Sequence, residues 1–161
     1  MGTRSFIAQE MPNGTYRSIY CHFDGYPSGV GAVLKRHYQD AAKVDALLAL
    51  GDLSAIAEEI GEAHAFDAGY TEHPDWCLAY GRDRGEDADD IAAQTHAGST
   101  ELLRAANGSC AEFLYVYLPD GALPESGGGR WRAYQVYSAD SSRLISLAEF
   151  PGPDDEAAPE A

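Results

Sequence analysis

Residues 5–23 read SFIAQEMPNGTYRSIYCHF and predict a β-hairpin. The Asn-Gly pair at 13–14 favours a tight turn because both residue types tolerate positive φ. The returning run, 16–23, is rich in β-branched and aromatic side chains, which are typical of strands. Alternation along this run places Arg17, Ile19, Cys21 and Phe23 on one face and Tyr16, Ser18, Tyr20 and His22 on the other.

Outward from the hairpin, apolar spacing predicts a block of helices. Apolar residues in 30–38 recur at helical spacing and predict a first helix. A second is predicted from the N-cap Asp40 to Gly51. We expect further short helices over 54–60 and 99–106. Between them, the aromatic and acidic stretch 62–98 has no clean periodicity.

The C-terminal third predicts strands over 113–118, 131–137 and 144–150. Two strands, a helical block and three strands, in that order, predict an α+β fold. We expect one antiparallel sheet, built from the N-terminal hairpin and the C-terminal strands, with the helices packed on one face.

The chain of 161 residues suits one domain, which we place at residues 1–150. The last eleven residues, 151–161, contain four acids, three prolines and no base, so we expect a disordered acidic tail. No run approaches the roughly 18 apolar residues that span a membrane, and we expect no secretory signal.

The formal net charge of −15 limits the partners that we expect. Phosphates of nucleic acids and anionic lipids are repelled, so direct binding to DNA, RNA or a membrane is not expected. A protein with a basic surface remains a possible partner. Three cysteines without a C-x-x-C pair predict neither a disulfide framework nor a zinc ribbon, and favour a reducing cytoplasm.

The most unusual stretch is YCHFDGYPSGVG at residues 20–31. A strand end there delivers Cys21, His22 and Asp24 to a glycine-rich loop, with Tyr26 beside them, and the sequence supports two interpretations. One is a small-ligand or phosphate pocket, although the glycines match neither the dinucleotide fingerprint nor the P-loop. The other is a tight strand-to-helix turn in which Asp24 caps and Tyr26 packs.

Arg82 and Arg84, separated by Asp83, form a second candidate ligand site. Their guanidinium groups suit a phosphate or a carboxylate, but they also suit local ion pairs with neighbouring acids.

Other chemistry has weaker support in the sequence. His73 and Cys77 have a ligand-like spacing, but a structural zinc ion needs four convergent ligands, so we expect neither a metal nor a cofactor. No G-x-S-x-G motif is present, and Cys21 and His22 point to opposite faces of a strand. We assign no catalytic residue and leave turnover open.

Three segments together carry a resemblance. GTRS at residues 2–5, the motif at 20–31 and WCLAYGRDRG at 76–85 resemble a family of small proteins encoded by tailed phages and prophages. The resemblance implies a phage or mobile-element setting and a role inside the infected cell. It supplies no activity and no catalytic residues.

We therefore expect a phage accessory protein that binds and modulates a host protein with a basic surface, for example as an anti-defence or anti-CRISPR inhibitor. The alternative is a small ligand-binding protein or enzyme that uses Cys21, His22, Asp24, Tyr26, Arg82 and Arg84. A structural protein of the virion is a third possibility. The sequence leaves the oligomeric state open.

Overall fold

The computed structural model describes residues 2–67, 69–118 and 131–145, which include one eight-stranded sheet. Its strands are β1 (Ser5–Glu10), β2 (Tyr16–Cys21), β3 (Leu53–Ala55), β4 (Leu78–Ala79), β5 (Gln94–His96), β6 (Phe113–Tyr117), β7 (Trp131–Ser138) and β8 (Ser141–Leu144). They lie in the order β4–β3–β2–β1–β6–β7–β8, and β5 also pairs with β2. Strands and helices share one structure, so the α+β class is confirmed.

The predicted hairpin is confirmed. β1 and β2 pair antiparallel, with Ile7 opposite Ile19. In the turn, Gly14 has a φ of 87°, and Asn13 accepts a hydrogen bond from the amide of Thr15 at 3.1 Å. Of the Asn-Gly pair, only the glycine uses the left-handed region.

The expectation of an antiparallel sheet is wrong, because the sheet is mixed. β1 pairs parallel with β6, and β2 pairs parallel with β3. Short hairpins join antiparallel neighbours, whereas parallel neighbours need a long crossover that usually contains helices. The chain makes one such connection between β2 and β3. It makes another before β6, which lies beside β1.

Six α-helices lie among the described residues. They are α1 (Ala32–His37), which follows a π-helical turn over Pro27–Gly31, α2 (Ala41–Ala49), α3 (Gly69–Glu72), α4 (Tyr80–Arg84), α5 (Ala88–Ile91) and α6 (Ser99–Gly108). The predicted N-cap is confirmed, because the Asp40 side chain accepts from the amide of Lys43.

The helix predicted over 54–60 is wrong, because residues 53–55 form β3. The carbonyls of Leu53 and Ser54 accept hydrogen bonds from the amides of His22 and Phe23. Pairing with β2 outweighs the local helical spacing. Of the predicted strand at 144–150, Leu144 ends β8, and 146–150 lie outside the described residues, as does the predicted tail at 151–161.

Helices pack on both faces of the sheet, so the prediction of a single helical face is also wrong. Alternation along each strand supplies apolar side chains to both sides. On the α2 face, the buried core contains Ile7, Ile19, Cys21, Leu34, Tyr38, Val44, Leu47, Tyr115 and Trp131. On the α6 face, it contains Phe6, Ala8, Leu102, Ala106, Ala111, Leu114 and Val116.

Candidate functional site

The α6 face changes character across the sheet. Its β6 and β7 strands give apolar side chains to α6, whereas the strand ends at β2 and β3 carry polar ones. We call this second region the polar half-face. It consists of Arg4, Tyr20, His22, Asp52, Ser54 and Tyr80.

Tyr20 connects the first members of the polar half-face. Arg4 Nε donates a hydrogen bond to Tyr20 Oη at 3.0 Å, and Tyr20 Oη lies 2.8 Å from His22 Nδ1. Burial raises the pKa of Tyr20, although the hydrogen bond from Arg4 opposes the rise. The phenol therefore keeps its proton, and the tautomer of His22 decides whether Tyr20 Oη or His22 Nδ1 donates the bond between them.

Asp52 fills a gap in the sheet. One edge of β2 pairs with β5 at residues 16–18 and with β3 at Cys21. Between these contacts, the amide of Tyr20 donates to Asp52 Oδ1 at 2.9 Å, so a carboxylate takes the place of a strand carbonyl. Burial raises the pKa of Asp52 to about 6, and the bond from the Tyr20 amide opposes the shift.

Tyr80 lies at the outer side of the polar half-face. Burial raises its pKa, while a hydrogen bond from Ser54 and the charge of Arg84 oppose the rise. The Arg84 guanidinium lies 4.5 Å from the centre of the Tyr80 ring and 4.9 Å from that of Phe66. This cation–π contact orients the tyrosine.

A cavity of about 280 Å³ opens beside Tyr20 and Asp52. Its remaining lining residues are Phe6, Ser18, Ile19, Gln94 and Ser109. Ser18 Oγ lies 2.8 Å from His96 Nε2, and both residues are buried. Burial lowers the pKa of His96, so this ring is neutral at physiological pH.

The predicted site residues Cys21 and His22 lie on opposite faces, as alternation predicts. Cys21 is fully buried on the α2 face, where burial raises the pKa of its thiol to about 12. Such a thiol is protonated at neutral pH and is a poor nucleophile. His22 belongs to the polar half-face.

Asp24 and Tyr26 form a local turn. Asp24 has a φ of 60°, its carboxylate accepts from Tyr26 Oη at 3.0 Å, and its carbonyl accepts from the amide of Val30 at 2.7 Å. These bonds favour the turn interpretation, but two of its details are wrong: the backbone of Asp24 rather than its side chain receives the helix amide, and Tyr26 is exposed rather than packed. Both residues line a separate cavity of about 190 Å³. Ligand binding there stays a prediction.

The two predicted arginines have internal partners. Arg82 donates to Asp83 and to the carbonyls of Ile60 and Cys77. Burial alone would raise the pKa of Asp83, but hydrogen bonds from Arg82 and two backbone amides hold it below the ordinary value. Arg84 Nε bonds Glu86 at 2.8 Å. The predicted set is therefore divided among several environments, and only His22 and Arg84 lie at the polar half-face or against it.

Metal-ligating side chains do not converge in the part of the chain that the structure describes, where no group of three or more could hold an ion. His73 stacks on Trp76 with ring centres 3.8 Å apart, whereas the Cys77 thiol lies 3.3 Å from Tyr38 Oη. Their spacing in the sequence therefore corresponds to two different environments.

The segment 58–90, which we call the acidic lobe, concentrates negative charge. It contains eleven acids and two bases, Arg82 and Arg84, both paired with acids of the lobe. The other nine acids are all exposed: Glu58, Glu59, Glu62, Asp67, Glu72, Asp75, Asp87, Asp89 and Asp90. The lobe follows β3 and includes the edge strand β4, so its negative charge lies at the β4 edge of the sheet.

Comparison of the chain with protein families, curated proteins and solved structures found no match. Among the described residues, no helix is both long enough and apolar enough to cross a membrane.

Proposed function

We propose that this chain is a phage or mobile-element accessory protein that binds a basic surface of a host protein through the acidic lobe. Inhibition of a host defence system, such as a CRISPR effector, is the role that we propose, with the host cytoplasm as its place of action. The nine exposed acids, which form no ion pair with an arginine of the described residues, are the observation that carries the proposal.

Two physical arguments support binding by the acidic lobe. A concentrated patch of one sign attracts an oppositely charged surface and accelerates encounter. The arginines of the lobe are used internally, which leaves few local cations to neutralise the patch. Lys43, at its border, donates to the carbonyl of Glu58 at 2.6 Å. The resemblance to phage-encoded proteins supports the proposed setting.

The test is a tagged pull-down from host lysate with two matched triple variants. The lobe variant is Glu62→Gln/Asp67→Asn/Glu72→Gln, and the control is Glu101→Gln/Glu112→Gln/Asp140→Asn, which removes three exposed acids elsewhere. We expect one stoichiometric partner at low salt that is lost at high salt and with the lobe variant, but is kept by the control. Plasmid and phage survival in cells expressing each variant then tests the anti-defence role.

Equal loss of the partner with both variants would mean that net charge alone controls binding, and would contradict a localised interface. A partner retained by the lobe variant at high salt would contradict an electrostatic mechanism. Stoichiometric recovery of the protein in purified virions, with no host partner, would support a structural role instead.

A further inference from the structure

The polar half-face has donors that the fold does not use. Arg4 donates to Tyr20 Oη through Nε, and the two Nη atoms of Arg4 form no hydrogen bond with the described residues. His22 uses Nδ1 towards Tyr20 and likewise makes no described bond through Nε2. The fold thus positions a guanidinium fork and a second imidazole nitrogen beside one phenol.

The same phenol links these donors to the cavity. Tyr20 is one of the residues that line the 280 Å³ cavity, and its Oη contacts Arg4 Nε and His22 Nδ1. The other lining residues are four polar ones, Asp52, Gln94, Ser18 and Ser109, and two apolar ones, Phe6 and Ile19. Such a wall suits a small ligand with several hydroxyl groups.

We propose that the polar half-face binds a small hydroxylated phosphate ester of about the size of a pentose phosphate. Arg4 and His22 hold the phosphate, because a guanidinium fork donates two parallel bonds to phosphate oxygens. Asp52 accepts a hydroxyl of the sugar through Oδ2, since Oδ1 already accepts from the Tyr20 amide. A volume of about 280 Å³ lies just below the usual range of ligand pockets, so the cavity suits the sugar part of a small ligand.

The site is distinct from the acidic lobe in its chemistry, because it offers donors to an anion. It therefore does not depend on the proposed host partner, and purified protein with small molecules tests it. Either proposal can fail without the other.

The experiment titrates ¹⁵N-labelled protein with ribose 5-phosphate, inorganic phosphate and ribose, and records amide shifts and affinities. We expect ribose 5-phosphate to bind more tightly than either fragment and to shift the amides of Tyr20, His22 and Asp52. Arg4→Gln should weaken both phosphate-containing probes about tenfold or more, because it removes charged hydrogen bonds. The control Arg104→Gln changes an exposed arginine on α6 and should bind like the wild type.

Asp52→Asn separates the two parts of the ligand. It should weaken ribose 5-phosphate but not inorganic phosphate. Equal affinity of the wild type for these two probes would overturn the sugar contact. Shifts confined to another surface, or no shifts at millimolar concentrations, would overturn the site, and this result needs no variant to fold.

Discussion

The two halves of the α6 face belong to one sheet but differ in burial and polarity. In the β6–β7 half, Leu114 and Val116 pack against Leu102 and Ala106 and are removed from water. In the polar half-face, Tyr20, His22 and Asp52 are only half-buried, and Tyr20 forms a hydrogen bond with each of the other two. A helix about 10 Å wide covers about two strands spaced about 4.8 Å apart, so one helix cannot shield this whole face. We therefore expect substitutions in the apolar half to cost more stability than substitutions in the polar half-face.

The largest effect should come from Leu102→Ala in the apolar half. Leu102 is 2% exposed in the α6 core, and its truncation leaves a cavity. We expect the free energy of unfolding to fall by about 2–5 kcal/mol, measured by urea denaturation. Leu103→Ala, at the half-buried neighbour, is the matched control and should cost less. Equal costs would mean that α6 is not anchored through Leu102.

A smaller loss is expected from Tyr20→Phe in the polar half-face. The change keeps the ring against Phe6 and removes the hydroxyl between Arg4 and His22. We expect unfolding to become easier by about 1 kcal/mol, because two hydrogen bonds lose their shared partner. Nitrogen NMR of His22 should also report a changed Nδ1 signal, because this atom loses its hydroxyl partner.

The control is Tyr137→Phe, which removes from β7 a hydroxyl whose bond from Arg143 is exposed to solvent. It should change neither the His22 spectrum nor, beyond a few tenths of a kcal/mol, the stability. An unchanged His22 signal in Tyr20→Phe would contradict the connected network.

These effects separate what the sequence predicts from what it does not. The Asn-Gly turn and the apolar spacing of 30–51 are local, so they identify the hairpin and the first helices. The parallel pairing of β1 with β6 is non-local and has no pattern in either strand. Alternation already places Tyr20 and His22 on one face. Asp52 has no such signal, because its role arises from a gap between two three-residue strands.

Asp52→Asn should change how stability depends on pH. The folded pKa of about 6 lies above the ordinary value of 3.8, so the folded protein holds this proton more tightly than the unfolded chain. Asp52 therefore contributes stability below about pH 4 that is lost as the pH rises through about 6. Asparagine keeps an oxygen acceptor for the Tyr20 amide and removes this loss.

The measurement is urea denaturation of both proteins at about pH 4 and about pH 7.5. At the higher pH, we expect the free energy of unfolding of Asp52→Asn to rise relative to that of the wild type. Asp67→Asn, at an exposed acid of the lobe, should show no such rise. A difference that does not vary with pH would contradict the burial of the Asp52 charge.

The smallest effect concerns the junction of α6 with β6. Cys110 has a φ of 64°, in the left-handed region that favours glycine. Cys110→Gly should stabilise the protein by at most about 1 kcal/mol. Ser109→Gly, at a residue with a φ of −94°, should instead destabilise it slightly. Calorimetric melting of the two variants compares them, and a lower melting temperature for Cys110→Gly would contradict the strain at this junction.

The parallel pair β1–β6 has a consequence for how the chain folds. Ser5 lies opposite Phe113. The central strand β1 can therefore pair with β6 only after most of the polypeptide has been synthesised. Closing such a long loop makes folding slow, since the entropy must be lost before the contacts form. During that interval one edge of β1 is open to other nascent chains. We expect ribosome-bound chains that end before β6 to depend on chaperones, and the full-length chain to be released from them.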